Sequence, residues 1–386
     1  MTYNEKTQSL FDYVIWRCDL SFDQDAFRDA DSLILCCLAY LRLDPLFEKQ
    51  AEWTLTDVAA AFFALPIEKR CARTDKDWLL LKQLAHTRRY GELRLSDYMS
   101  VFDETTQEQF AALRFTYRDE WTCCVFRGTD NTLIGWKEDF NMTFMEVIPA
   151  QKRALDYVQS IVTRCPYDLY LAGHSKGGNL AVYAAAHLDG EVQKRILTVY
   201  NHDGPGFMKE ATAMPAYQAI VNRIKTYVPQ SSIVGILLEH EESYHVVHSS
   251  QVSLWQHDPY SWCMDGPRFS LLETRSAGSY FMDDTIRKWI EHLPIKQRAA
   301  FVDAVFEVLQ ATKVVSLKEM NANRMHNIAI ILKAVSCLDD EERKMMAETI
   351  LSLLDSACRT AKDMWNEPEN SDNHLSQEHL GSSELK

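Results

Sequence analysis

The 386-residue chain lacks any stretch approaching 18 uncharged apolar residues, so no transmembrane helix is expected. Its start, Met-Thr-Tyr-Asn-Glu-Lys, has no basic segment leading into an apolar one, and no secretory signal is expected from it. Positive charge is in short supply: 41 Lys and Arg stand against 55 Asp and Glu, a net charge of −14. A nucleic-acid binder needs a basic footprint and a membrane-surface protein a polybasic segment, so both classes are disfavoured. No two of the ten cysteines stand in C-x-x-C spacing, which removes zinc-ribbon and thioredoxin-type readings. The adjacent pairs Cys36–Cys37 and Cys123–Cys124 sit in apolar runs, where reduced thiols act as small hydrophobes. A reducing cytoplasm without a disulfide framework is the expectation.

What is present is an ordinary globular balance, 46% hydrophobic and 25% charged, with ample material for a buried core. At about 150 residues per domain the length allows two to three domains, although one α/β domain can exceed about 250. Residues 31–42, 55–65 and 78–86 read as helices, the first opening after Asp29–Ala30–Asp31, a helix-capping sequence. Segments 98–102, 110–117 and 121–126 are short and rich in aromatic and branched residues. With Arg118–Asp119–Glu120 as a hairpin turn, they predict a strand meander. From about residue 149 helices and strands alternate: helix 149–164, strand 167–172, helix 177–186, strand 196–201, helix 217–223, strand 224–228. That alternation signals an α/β sheet. Residues 244–249 and 251–255 read as late strand pieces. Amphipathic helices follow over 285–292, 296–311 and two further segments to about 364, and 365–386 reads as a mildly acidic disordered tail.

The sharpest chemical signal is Tyr170–Leu171–Ala172–Gly173–His174–Ser175–Lys176–Gly177–Gly178–Asn179–Leu180. An apolar strand enters Gly-x-Ser-x-Gly and a helix of small and apolar residues leaves it, the arrangement of a nucleophile elbow. The glycines are needed because side chains two positions either side of a serine on so tight a turn would clash with it. Ser175 then projects its hydroxyl above the sheet edge, and the helix start aims N–H groups and partial positive charge at the same place. The amide of Lys176 is the first expected oxyanion donor, with its side chain at the helix-start surface. Upstream, Cys124–Val125–Phe126–Arg127–Gly128–Thr129–Asp130 ends a strand where a second donor belongs, and Thr129 offers both its amide and its hydroxyl. Lys137, Glu138 and Asp139 read as a structural ion-pair set near that loop.

Phe126–Arg127–Gly128–Thr129, followed by Gly-His-Ser-x-Gly-Gly, resembles the class 3 (fungal-type) lipases of the α/β-hydrolase superfamily. Four further runs resemble, more specifically, a bacterial family of lipase-like proteins of undefined substrate. They are Gly135–Trp136–Lys137–Glu138–Asp139–Phe140–Asn141, Asp203–Gly204–Pro205–Gly206–Phe207, Val228–Pro229–Gln230–Ser231–Ser232–Ile233–Val234–Gly235 and Gln256–His257–Asp258–Pro259–Tyr260–Ser261–Trp262. The resemblance runs from the first helices to about residue 310. It implies the fold and serine-hydrolase chemistry.

A serine hydroxyl is a weak nucleophile at its ordinary pKa, so it needs a histidine, and the histidine needs an orienting carboxylate. In α/β-hydrolases the chain order is Ser, acid, His. His257 follows an apolar piece and opens an Asp-Pro loop, where a catalytic histidine loop belongs in this fold. His240, within Leu238–Glu239–His240–Glu241–Glu242, is the runner-up and reads better as part of a solvated charged loop. His245 alternates with apolar neighbours as a strand residue does. The acid departs from the class 3 pattern, which places an aspartate after the seventh strand: here that stretch, Val228–Pro229–Gln230–Ser231–Ser232, has no carboxylate. The turn after the sixth strand, Asn201–His202–Asp203–Gly204–Pro205, is similar to the pancreatic-type lipases and offers Asp203.

The expected architecture is therefore α/β: an α/β-hydrolase core at 91–285, an N-terminal helical segment at 1–90 packed on it, and a C-terminal helical extension at 286–364. The expected chemistry is cleavage of a small ester, thioester or acyl substrate by Ser175, His257 and Asp203, with the amides of Thr129 and Lys176 holding the oxyanion. No metal or organic cofactor is called for, and no protein partner is indicated. Stretches 207–217 and 255–264, rich in aromatic residues and Met, read as ordinary core, and otherwise as an acyl pocket or lid. Two rivals remain: a non-catalytic scaffold with the hydrolase fold, and an amidase or peptidase using the same serine.

Overall fold

The computed structural model describes residues 8–103, 105–106, 108–129, 141–142, 145 and 147–292, with scattered positions between 297 and 352. Lys137, Glu138 and Asp139, most of the expected 286–364 extension and the 365–386 tail lie outside the described residues.

The backbone is organised by a nine-stranded sheet. In chain order its strands are β1 (Glu52–Thr54), β2 (Arg94–Asp103), β3 (Glu108–Tyr117), β4 (Trp121–Phe126), β5 (Asp168–His174), β6 (Ile196–His202), β7 (Ile224–Pro229) and β8 (Tyr244–Val247). A two-stranded hairpin of β9 (Met264–Asp265) and β10 (Arg268–Phe269) precedes the last sheet strand, β11 (Leu271–Leu272). β1 to β4 pair antiparallel, β4 to β8 run parallel, and β11 closes the far edge antiparallel to β8.

All six residues of β4 are buried, as expected of a strand in a sheet covered on both faces. The two-residue period then distributes them: Cys123 and Val125 join one core, Cys124 and Phe126 the other. The first core is built with the N-terminal helices Leu10–Arg17, Asp29–Leu38, Leu55–Ala64 and Asp75–Leu84. The second is built with the helices Pro149–Val162 and Lys176–His187. Helix Asp29–Leu38 is buried from Ala30 to Leu38 because it lies between the sheet and helix Asp75–Leu84, so no polar face is required of it. Its Asp31 caps the helix, accepting from the Arg28 amide at 2.7 Å, but does so from within the core and not at the surface. It is buried against the equally buried Arg89, with the hydroxyls of Tyr13 and Tyr90 donating to it.

Two expected elements differ. Residues 251–255 are no strand: the chain forms a 3-10 turn at Ser253–His257. Val252 and Trp255 are largely exposed there, so their β propensity has no packed surface to act on. The helix expected over 217–223 divides into Pro215–Gln218 and a 3-10 turn at Val221–Arg223.

Candidate functional site

Strand β5 delivers the chain to Ser175, which sits at φ 60° and ψ −136° before helix Lys176–His187 begins. A non-glycine residue at positive φ is strained and persists where its surroundings over-determine it. They do so here. A Cβ on Gly173 would lie 1.9 Å from the Gly177 carbonyl oxygen, and one on Gly177 would lie 2.1 Å from that of Phe126. Strand and helix thus cross at backbone contact, and the turn between them has one shape. The Ser175 amide donates to the His202 carbonyl at 2.9 Å, tying the elbow to β6. Ser175 keeps 7% of its surface exposed.

Asp203 follows β6 at φ 54°, its amide donating to the Tyr227 carbonyl at 2.8 Å. Its carboxylate is 1% exposed and accepts on both oxygens. Oδ2 stands 2.6 Å from His257 Nδ1. Oδ1 accepts from the Ser232 hydroxyl at 2.5 Å and the Gly235 amide at 3.1 Å. The stretch after β7, which lacks a carboxylate, thus supplies two donors to the carboxylate after β6. Charge-assisted bonds of this kind offset the burial of the aspartate.

His257 ends the 3-10 turn, with 28% of its side chain exposed. Its carbonyl accepts from His174 Nε2 at 2.8 Å, and the two rings stand 4.7 Å apart. His174 Nδ1 meets the Tyr40 hydroxyl at 3.0 Å. Burial, then the proximity of His257 and Arg73, holds the His174 ring neutral, well below the usual histidine range. Since the carbonyl accepts only, Nε2 carries the proton and Nδ1 accepts from Tyr40. The elbow histidine and Tyr40 were not anticipated as site residues. His174 was in view within Gly-x-Ser-x-Gly, but nothing in the sequence marks Tyr40.

Among the described residues no hydrogen bond joins the Ser175 hydroxyl to a histidine. His240 bonds Glu242 at 3.0 Å, and Glu242 also accepts from Thr226 and Tyr217. The loop around His240 is solvated only in part: Glu241 is exposed, but Glu242 is buried, and although burial raises its pKa, the bond from His240 and the hydroxyls hold it below the usual range. His245 lies on β8, its ring 5.2 Å from that of Tyr227.

The loop after β4 lies against the elbow: a Cβ on Gly128 would be 2.9 Å from Ser175 Cβ and 2.4 Å from the His174 carbonyl oxygen. Thr129, next in that loop, is partly exposed. The Lys176 amide opens the elbow helix, whose first-turn N–H groups point outward along the axis. Its side chain is not at the surface. Lys176 is 1% exposed, and its ammonium donates to the Gln109 carbonyl at 2.7 Å and to Gln109 Oε1 at 3.0 Å. The elbow packs on the sheet so closely that a long side chain at this position runs beneath it to β3. A cavity of about 400 Å3, walled by Met142, Phe207, Met208, Met214, Tyr217 and Leu238, reaches Asn179, one helical turn beyond Ser175.

A mixed sheet with a parallel centre and a serine at a strained strand-to-helix turn define the α/β-hydrolase class of fold. Within it, the chain belongs to the Mbeg1-like family, a lipase-like family whose model matches residues 84–307, more than half of the sequence. No curated protein matches the chain by sequence search. Among solved structures it is similar to an MDLA mutant from Penicillium cyclopium, at 14% identity over 61% of this chain and 83% of that one, with a TM-score of 0.38. It is similar also to a Rhizomucor miehei lipase–propeptide complex, at 15% identity over 65% and 73%, TM-score 0.39. The fold assignment rests on strand order and the elbow.

Proposed function

We propose that the protein is a serine hydrolase that cleaves a carboxylic ester or thioester through an acyl-enzyme on Ser175. The observation that carries this reading is the 2.6 Å bond between His257 Nδ1 and the buried Asp203 carboxylate, with the strained elbow serine beside the His257-bearing loop. Asp203 keeps the proton on Nδ1, so Nε2 is the base. As Ser175 Oγ attacks the carbonyl carbon, Nε2 takes its proton, and the carbonyl π pair moves onto oxygen. The amides of Thr129 and Lys176 receive that oxyanion. When the tetrahedral adduct collapses, the alkoxide or thiolate leaves with the proton from His257, and the acyl group stays on Ser175. Water then repeats the sequence and releases the acid. The open Ser175–His257 contact is consistent with a site that tightens when substrate binds. The Met- and aromatic-walled cavity takes the acyl chain. The N-terminal helices, sharing a core with the sheet, form one unit with the 91–285 hydrolase core, followed by the 286–364 extension. The working environment we propose is a reducing cytoplasm, where the buried cysteines among the described residues act as small hydrophobes.

The absent Ser175–His257 bond favours one other reading, a hydrolase scaffold used only for binding. The test is turnover of p-nitrophenyl esters of graded chain length beside matched amides, with Ser175→Ala as control. Ester turnover that peaks at one chain length and vanishes in the control supports the proposal. No turnover of any substrate by folded protein supports the scaffold.

A further inference from the structure

We infer that the N-terminal segment belongs to the site's working parts: Tyr40 and Arg73 are positioning residues that hold the His257 loop through His174 and Asp258. This rests on the serine-hydrolase reading above. His257 comes from a short 3-10 turn, with Trp255 exposed beside it, so regular strand pairing does not fix its position. Contacts from residues about 180 positions earlier in the chain add to nearer ones, in which the Ser231 amide donates to Gln256 Oε1 at 2.7 Å and the Trp262 indole to the Gln256 carbonyl at 2.9 Å. Arg73 reaches Asp258 at 3.2 Å, Lys76 reaches the same carboxylate at 3.1 Å, and the Tyr260 hydroxyl donates to the buried Asp77 at 2.9 Å. Arg73 also lies over the Tyr40 ring at 4.5 Å. The Tyr40 hydroxyl in turn donates to His174, which donates to the His257 carbonyl.

Tyr40 reaches a third part of the site. A Cβ on Gly128 would lie 2.5 Å from its hydroxyl oxygen, so Tyr40 packs against the loop that leads to Thr129. One hydroxyl thus touches the oxyanion loop and the residue before the nucleophile, and holds the ring whose Nε2–H anchors the histidine loop. Without that hydroxyl, His174 Nδ1 is buried with no donor. The proton stays on Nε2, where the His257 carbonyl is its acceptor, but the ring has lost the second bond that fixes its orientation. The bond from His174 to the His257 carbonyl loosens, and His257 is held less well against Asp203.

The experiment uses the full chain with Tyr40→Phe, Arg73→Met, His174→Leu and His174→Gln, the last keeping an amide donor for the carbonyl. Three quantities are read: kcat and KM on a p-nitrophenyl ester, the melting temperature, and the low-field proton resonance of the His257–Asp203 bond. Tyr40→Phe and Arg73→Met each lower kcat about 10-fold with KM unchanged, a small misplacement of a reacting group being sufficient for this. Melting temperature changes little, the resonance weakens in step with kcat, and His174→Gln retains more of both than His174→Leu. A folded Tyr40→Phe protein with wild-type kcat and wild-type resonance overturns the inference, whether or not His174→Leu folds. If the wild type hydrolyses no ester, the hydrolase reading fails by itself, and the resonance alone decides: weakened in the variants, it supports the clamp; unchanged, it refutes it.

Discussion

Replacing Asp203 by asparagine changes a single group and inverts a hydrogen bond. The two oxygens of Asp203 face different partners. Oδ1 faces the Gly235 amide, which only donates, and the Ser232 hydroxyl; Oδ2 faces His257 Nδ1. An asparagine keeps its oxygen toward Gly235, because the reverse orientation sets two donors together in a buried site. Its NH2 then faces His257, whose Nδ1 must accept, and the ring proton moves to Nε2. The base has lost its lone pair on the side of Ser175. Where such tautomer inversion has been isolated in serine hydrolases, kcat falls about 10^4-fold, or about 5.5 kcal/mol. Asp203→Asn is expected to show a loss of that order in ester turnover, with KM near the wild type and the fold intact by circular dichroism. Retention of more than about a tenth of wild-type kcat refutes the assignment, since an inverted tautomer leaves no route to general-base catalysis at that rate.

Three further outcomes follow from the same geometry. Gly177→Ala sets a Cβ 2.1 Å from the Phe126 carbonyl oxygen and is expected to cost about 4 kcal/mol or more, read as the urea midpoint; near-wild-type stability contradicts the elbow packing. Burial pushes His202 from its ordinary value of 6.5 down to about 3, so the unfolded chain binds a proton the native state refuses, and stability falls as pH drops below 6.5. From about pH 7.5 to about pH 5 this single residue removes about 2 kcal/mol of unfolding free energy, and His174, displaced in the same direction, adds to the loss. A flat stability profile over that range, or one unchanged in His202→Gln, contradicts it. Arg89→Met leaves Asp31 buried without its cation and is expected to cost about 3–5 kcal/mol by chemical denaturation, whereas a loss below about 1 kcal/mol sinks the reading of that pair.

The elements legible in the sequence are those whose cause is local. Residues 168–187 announce an elbow because apolar strand, spaced glycines and small-residue helix are adjacent, and the backbone contacts of Gly173 and Gly177 are the physical form of that spacing. Asp203 and His257 stood out by position within short motifs, and the structure brings their side chains together. What escaped depends on burial and on distant partners. Tyr40 meets His174 across 134 positions, and Asp31 meets Arg89 across 58. No local window contains both members. Lys176 reads as surface because lysine usually is, yet the tightness of the elbow turns it inward to Gln109 on β3. Glu242 looked solvated among charged neighbours, but Thr226 on β7 and Tyr217 draw it inward. Trp255 and Val252 have strand-forming side chains and no strand to pair with.

The most direct test of the central claim is covalent. The intact protein is treated with a fluorophosphonate probe, digested, and the adduct located by mass spectrometry, with Ser175→Ala and His257→Ala in parallel. An adduct on Ser175, absent from the alanine variant and slowed at least about 100-fold in His257→Ala, is the predicted result. A folded wild-type protein that carries no adduct, or carries it on another residue, contradicts the account.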